Sequence, residues 1–383
     1  MASSGITFRA DGAQPVTAQD TGNVSLMGTL ALTVTPAPDG TTGSSTPFDL
    51  SRLTAVGTDA GIASLVRVLN PDGTVRNSFS PYDPSFTGGV RVAIARTPTG
   101  FNVITAPGPG RFPDIRVIDP VTGNTLSTIT PFETSFEGGE FISTADINND
   151  GYDDYVITPD KGGGPRVVVI SGKTGARIAD FFGIEDSAFR GGARAAMTDI
   201  NGDGVTDMIV SAGFGGGPRI SVINGKDIAA GSPSPSRLIG DFFAFEPELR
   251  NGAYVAAGDL NNDGKGDIIL GAGPDGGPRV RIINGKQLLA IAKFGGLDEA
   301  VAVEPQTQIA NFFGGDPNSR GGIRVVAKKL DSDDFADLVV GGGPGSGSTV
   351  TAYKGSILLS NVNPDPLFTF EDVPGFTGGV FVG

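Results

Sequence analysis

A glycine-led strand returns six times along this chain, and that repeat limits the fold more than any other feature. It reads "FTGGVRVA" from 86, "FEGGEFIS" from 136, "FRGGARAA" from 189, "LRNGAYVA" from 249, "SRGGIRVV" from 319 and "FTGGVFVG" from 376. The glycine closing each pair falls at 89, 139, 192, 252, 322 and 379, at intervals of 50, 53, 60, 70 and 57 residues. Self-similarity at such periods is the mark of a repeat architecture. Each unit continues with a second apolar run, a Gly-rich turn, a third run ending near "NG" or "DG", and a fourth run rich in Phe. The clearest case is "DMIVSAG", "FGGGP", "RISVING" and "LIGDFFAFE" in succession.

Four short strands per 50–60 residues, joined by Gly-rich turns, make a propeller blade. Fourth-strand segments also occur six times: "SFSPYD", "TITPFE", "DFFGIE", "DFFAFE", "NFFGGD" and "FTFED". The first blade starts directly with its second strand, "LTAVGTDAG", and the chain finishes on a first strand with no successor. Residues 376–383 are therefore expected to complete the blade begun at 49–80, which closes the ring and removes an open edge. The predicted fold is all-β: a six-bladed β-propeller over residues 49–383, with four antiparallel strands per blade. Seven blades would follow if residues 1–47 supplied further strands. Residues 1–48 lack the repeat and are expected to form an N-terminal extension. Its segment "NVSLMGTLALTVTP" reads as a strand pair or one long strand, packing on the disc or pairing with a neighbouring molecule's edge. Extra length lies between third and fourth strands at 226–237 and 286–308, the latter with room for a short helix.

The residue inventory narrows the chemistry. The chain has 383 residues with no Cys, no His and no Trp, and its formal charge is −14. Without His or Cys there is no Ser–His–Asp or Cys–His nucleophilic site, and metal chemistry is left to oxygen donors and hard cations. An acidic balance opposes nucleic-acid binding. No apolar run reaches the roughly 18 residues that span a bilayer. The N-terminus, "MASSGITFRADG", shows no signal peptide, either because there is none or because one has been removed. No isolated carboxylate pair stands out as a general acid and base, so an enzyme is not expected.

Three segments between first and second strands carry one pattern, D-x-N-x-D-G-x-x-D. They are "DINNDGYDD" at 146–154, "DINGDGVTD" at 199–207 and "DLNNDGKGD" at 259–267. Side chains at positions one, three and five converge on one side, and Gly at six allows a sharp turn. A carbonyl at seven and a carboxylate at nine complete an all-oxygen shell suited to Ca²⁺. The candidate ligands are Asp146, Asn148, Asp150, the Tyr152 carbonyl and Asp154; Asp199, Asn201, Asp203, the Val205 carbonyl and Asp207; and Asp259, Asn261, Asp263, the Lys265 carbonyl and Asp267. One such loop would be as well read as an acidic turn, but three in register are not. Asp153, matched by Thr206 and Gly266, is expected to face solvent. A fourth loop, "KLDSDDFAD" at 329–337, keeps Asp331, Asp333 and Asp337 but starts with Lys329, whose ammonium would stand in for the ion. At 96–102, "RTPTGFN" is two residues shorter and has no carboxylate, and the first blade has no loop. Three good sites in consecutive blades are expected.

This loop between the first two strands of a Phe- and Gly-rich blade resembles the FG-GAP repeat of integrin α-subunit propellers and of bacterial surface and secreted proteins. The likeness covers roughly residues 49–383. The "GGGPRV" signature is also similar to that of long bacterial propeller arrays. The resemblance implies Ca²⁺ in the loops and an extracellular or cell-surface place. The expected role is a non-enzymatic binding, adhesion or structural module with a protein or glycan partner, or self-assembly through the extension. A carbohydrate-binding, lectin-like propeller is the alternative. The best-known members have seven blades, one more than the repeats counted here.

Other residues recur in register. Arg91, Phe141, Arg194, Tyr254, Arg324 and Phe381 sit mid-way in the first strands, Arg and aromatic in alternation. They would line the axial channel, either as a ligand site using cation–π and anion contacts or, as the reading preferred here, as packing with Arg paired to Asp. Arg166, Arg219 and Arg279, each after a Gly-Gly-Pro, are expected to reach acidic residues of the next blade. Phe181–Phe182, Phe242–Phe243 and Phe312–Phe313 are expected in the inter-blade core.

Overall fold

The structure is a computed structural model that describes residues 12–19, 27–34, 52–292, 307–359 and 363–383. The chain divides into two compact units, Met1–Asp49 and Leu50–Gly383. In the first, Gly12–Gln19 and Met27–Val34 pair as an antiparallel hairpin, a two-stranded sheet of its own. This strand pair is not a blade. The expectation that the extension packs on the disc or on a neighbour otherwise lies outside the described residues.

The second unit contains six sheets of four antiparallel strands each. Blade 1 is built from both ends of the unit: Val380–Val382 pairs with Thr54–Thr58, followed by Val66–Leu69 and Val75–Phe79. Val380 faces Thr58 in this register, and Ala55 and Gly383 exchange two backbone hydrogen bonds of 2.8 and 3.0 Å. The C-terminal strand thus closes the ring as expected, and the blades number six, not seven. First strands Val90–Thr97, Glu140–Ala145, Ala193–Thr198, Ala253–Gly258 and Ile323–Lys328 open blades 2 to 6.

The Gly-Gly signature has a steric cause. The second glycine of every pair has positive φ, from +64° at Gly252 to +91° at Gly379. A Cβ on Gly89 would lie 2.9 Å from the Asp59 carbonyl carbon of blade 1, and one on Gly139 would lie 2.8 Å from that of Gly108 of blade 2. Only glycine takes this backbone conformation at no cost and leaves room for the preceding blade. Second strands are buried along their whole length, as in Asp154–Pro159, Asp207–Ala212 and Asp267–Ala272. Their unbroken apolar runs follow from having a blade on either face. Ile220, Val222 and Phe242 of blade 4, for example, share one core with Ile268 and Leu270 of blade 5. Hydroxyls stitch adjacent blades as well: Thr158 donates to the Ala193 carbonyl and Ser211 to that of Ala253, each at 2.7 Å.

The two insertions fall where the sequence placed them, after the third strands Arg219–Ile223 and Arg279–Ile283. Each opens with a short helix, Gly225–Ala229 and Gly285–Ile291, capped by Asn224 and Asn284 through their side-chain oxygens. Residues 293–306 lie outside the described residues.

Candidate functional site

The three acidic loops share one hydrogen-bonded scaffold. Asp146 accepts from the amides of Asp150 at 3.0 Å and Gly151 at 2.8 Å. Asn148 Oδ1 accepts from Asp150 N, and Asp150 Oδ1 from Tyr152 N, both at 3.0 Å. The same bonds recur from Asp199, Asn201 and Asp203 and from Asp259, Asn261 and Asp263. Position four is left-handed in each, at Asn149, Gly202 and Asn262, and so is the position-six glycine at φ +86°, +81° and +81°. Those two turns wrap each loop around its own side chains, but the three carboxylates of a loop (Asp146, Asp150 and Asp154; Asp199, Asp203 and Asp207; Asp259, Asp263 and Asp267) do not all come within 4.8 Å of one another.

Position nine closes the loop. Asp154, Asp207 and Asp267 are fully buried at the start of the second strands. Each uses both carboxylate oxygens. Asp154 accepts from Ile147 N and Gly172 N, Asp207 from Ile200 N and Gly225 N, and Asp267 from Leu260 N and Gly285 N. Each oxygen retains a second lone pair for a cation, except Asp267 Oδ1, which also accepts from Asn261 Nδ2 at 3.4 Å. Burial pushes these carboxyls up, to about 6 at Asp154 and Asp207 and about 7 at Asp267, against the pull of the amides. Neighbouring loop carboxylates push the same way. So much buried and crowded negative charge fits a divalent cation held by oxygen donors.

The fourth loop brings its own cation. The oxygens of Asp331, Asp333 and Asp337 lie within 4.8 Å of one another, the one such acidic triple among the described residues. Lys354 Nζ sits 2.7 Å from Asp331 and holds its carboxyl below the usual range. Lys354 occupies the helix N-cap position that is Asn224 and Asn284 in blades 4 and 5. The expected stand-in, Lys329, instead donates to the Asp334 carbonyl at 3.2 Å. Ser332 and Asp334 at positions four and six do not turn left-handed. Asp337 keeps the position-nine bonds, to Leu330 N at 2.7 Å and Gly355 N at 3.0 Å.

Asp153 does not face solvent. It is 6% exposed and accepts from the Arg96 backbone amide at 2.7 Å and from its guanidinium. The reason lies in the neighbouring blade. Position eight is the joint to the preceding loop: Asp153 N donates to Arg96 O, Gly266 N to Asp199 O and Ala336 N to Asp259 O. The loops of blades 4, 5 and 6 are thus joined in series by backbone hydrogen bonds, and that of blade 3 is joined to the turn of blade 2.

The axial residues form a plate across the channel. Arg91 lies over the rings of Phe141 and Phe381, Arg194 over Phe141 and Tyr254, and Arg324 over Tyr254 and Phe381, all within 5.3 Å of the ring centres. Phe141 meets Tyr254 and Phe381 edge to face. Arg91 pairs with Asp160 at 2.7 Å, and Arg324 pairs with Asp59. The packing reading with Arg–Asp pairs accounts for these two. Arg194 is equally buried, but Gly273 occupies the place that Asp160 and Asp59 hold in their blades, and its Nε and Nη1 find no acceptor.

Two other expectations need correcting. Arg166 and Arg219 pair within their own blades, with Asp180 and Asp241, and Arg166 and Arg279 reach Glu133 and Glu246 of the preceding blade rather than the next. Of the Phe pairs, Phe181, Phe242 and Phe312 are core residues, whereas Phe182 and Phe313 are each 52% exposed at the outer edge. There they lie against Gly164 and Gly277 of the Gly-rich turns.

Glu140 is a group the sequence reading passed over. It is fully buried where other first strands place Val90, Ala193, Ala253, Ile323 and Val380, and neither carboxylate oxygen has a partner. Burial pushes its carboxyl up to about 8, only partly opposed by Arg91. The unfolded chain releases this proton near the ordinary value of 4.5. Between that value and about 8 the folded state holds more protons, so rising pH costs stability until the folded group has also ionised. Glu140→Gln is expected to melt like the parent at pH 4 and to be more stable by about 1–3 kcal/mol at pH 8.5. Paired thermal melts would show this, and equal stability at pH 8.5 would refute it.

The unit is a β-propeller of six four-stranded blades, four of which carry an Asp-rich loop between the first and second strands. No protein-family model matches the chain, but curated relatives do. The propeller is similar to integrin α chains: integrin alpha-V of Gallus gallus is 30% identical over 227 residues, covering 55% of this chain and 20% of that protein. Integrin alpha-7 of Rattus norvegicus is 33% identical over 186 residues (46% and 14%), and integrin alpha-PS2 of Drosophila melanogaster 27% over 226 residues (53% and 15%). The chain spans a fifth or less of the length of these relatives. Among solved structures, the Dos1 propeller aligns over 80% of this chain and 66% of its own at 13% identity, with a TM-score of 0.42. Rhamnogalacturonan lyase YesW aligns over 98% and 73% at 11% identity, with a TM-score of 0.39. Likenesses this distant do not bear on function. Among the described residues, no helix is long and apolar enough to cross a membrane.

Proposed function

We propose that this chain is a calcium-stabilised, non-enzymatic β-propeller that acts outside the cell or at its surface as a binding or adhesion module. The observation that carries the calcium reading is the contrast between blades. The loop of blade 6 has an internal ammonium, Lys354, on its acidic triple. The loops of blades 3 to 5 have equally buried position-nine carboxylates with the same pair of amide bonds, but Ser171, Asn224 and Asn284 in place of that lysine. A cation from solution takes the same electrostatic role there. Lys226 lies 2.9 Å from Asp203 on the rim of the second loop, with a side chain 56% exposed that can swing away. The similarity to integrin α chains supports the adhesion role and the extracellular place.

Ca²⁺ that binds only the folded loops adds RT ln(1 + [Ca]/Kd) per site, about 1–3 kcal/mol at ten to a hundred times Kd. Titration calorimetry is expected to count three Ca²⁺ per chain, and excess chelator to lower the melting temperature. An unchanged melt together with no heat of binding would end this reading. Lys354→Asn, which copies the N-cap of blades 4 and 5, is expected to raise the count towards four. A count still at three would mean that the missing left-handed turns, not the lysine, keep the ion out.

A further inference from the structure

The channel above the Arg–aromatic plate is a blind cup of about 610 Å³. Its floor is formed by Arg91, Phe141, Tyr254, Arg324 and Phe381, and its mouth opens among Asp146, Asp153 and Asp199 on the acidic-loop face. Its walls stay apart because the first strands turn small residues inward above the plate, among them Ala93, Ala196 and Ala256. This size is typical of a small-molecule site, where apolar walls surround a few polar groups.

One charged side chain projects into this cup without a partner. Lys328, at the end of the blade 6 first strand, lines the cavity and makes no hydrogen bond or ion pair with any described residue. The carboxylate it senses, Asp153, is already engaged by the Arg96 amide and guanidinium. Burial pulls the Lys328 amine down to about 8, as expected for a cation with no counter-charge in contact. Ser143, on the blade 3 strand facing blade 6 across the ring, lines the same cup, and its hydroxyl is also unpartnered. The two arginines of the floor, Arg91 and Arg324, are each matched by a carboxylate, Asp160 and Asp59, which leaves Lys328 as the cation without a contact partner. The remaining acid near the floor, Glu140, stays largely protonated at neutral pH. Asp146 and Asp199 at the mouth are tied to their own loop amides. In a chain of net charge −14, the inside of the channel thus carries an ammonium with no carboxylate in contact, between walls of mixed polar and apolar character.

We propose that the axial channel binds a small organic anion, a carboxylate on an apolar body, with the carboxylate on Lys328 and the body along the alanine-lined wall towards the aromatic plate. Four residues of strand separate Lys328 from Arg324, about 13 Å at the usual rise. An eight-carbon chain fits that depth. Lysine offers a point charge on a flexible stem rather than a planar fork, which suits a single headgroup reached from the mouth.

Octanoate is the probe, titrated by calorimetry into the full chain with Ca²⁺ present. Octanoate is expected to bind, 1-octanol more weakly by at least about tenfold, and acetate not measurably. Lys328→Gln should weaken octanoate by at least about tenfold while Lys328→Arg retains it, with the Ca²⁺ count unchanged. Ala256→Phe, which fills the cup, should abolish binding. No octanoate binding by the wild type, or unaltered binding by Lys328→Gln, overturns the proposal. Should Lys328→Gln not fold, reductive methylation of the wild type followed by mass spectrometry decides. Octanoate must slow labelling of Lys328, and an unchanged rate overturns the proposal. Because Ca²⁺ is counted separately, failure here is distinguishable from failure of the calcium reading.

Discussion

Removal of residues 376–383 is expected to leave a protein that aggregates or melts far below its parent. The deleted strand supplies Val380 at 0% exposure and Phe381 at 5%. It supplies the pairing with Thr54–Thr58 and the edge-to-face contact of Phe381 with Phe141. Its loss also takes an aromatic face from under both Arg91 and Arg324. Truncation of a buried Phe alone costs about 3–5 kcal/mol. With the valine and the lost ladder bonds, the sum is roughly 5–8 kcal/mol, against a total stability that is typically about 5–15 kcal/mol. The strand Thr54–Thr58 would also become an open edge that invites pairing between molecules. Size-exclusion chromatography and thermal melts test this. A monomer melting within about 5 °C of the parent would show that the ring holds without its clasp.

Asp337→Ala carries the second large effect, one that does not depend on calcium. Both oxygens of this buried carboxylate accept backbone amides, from Leu330 and Gly355. Each amide left buried without a partner costs about 1–3 kcal/mol, offset in part by relief of a charge that burial disfavours. The expected loss is about 2–4 kcal/mol by denaturant unfolding, equal with Ca²⁺ and with chelator because Lys354 serves this loop. Asp207→Ala should lose the same bonds and, in addition, its response to Ca²⁺. A loss at Asp337 that grows by more than about 1 kcal/mol when Ca²⁺ is added would place an ion in the fourth loop after all.

The blade count, the closing strand and the register of the acidic loops were legible because each rests on local spacing: a glycine pair, an apolar run, a nine-residue pattern. What was misread depends on neighbours across blades. Beside Thr206 and Gly266, Asp153 reads as solvent-facing, but its burial is imposed by Arg96 from the previous blade. Lys354 stands well outside the loop it serves. It becomes conspicuous only when the third-strand ends are aligned, Ser171, Asn224, Asn284 and Lys354 in one column. Glu140 was visible in principle as the one acid in a column of Val, Ala and Ile. Arg166 and Arg279 were sent to the wrong neighbour because a linear repeat does not say which adjacent blade a side chain leans towards.

The axial plate has a consequence for how such a ring can grow. Aromatics come from blades 1, 3 and 5 and arginines from blades 2, 4 and 6, so each guanidinium lies between two rings. Alternation of two kinds closes on itself only when the number of members is even. Gain or loss of a single blade would set two guanidiniums or two rings side by side and forfeit cation–π contacts worth about 0.5–2 kcal/mol each. The plate therefore acts as a parity check. A disc of this design changes size by pairs of blades, and its natural unit of duplication is the blade pair.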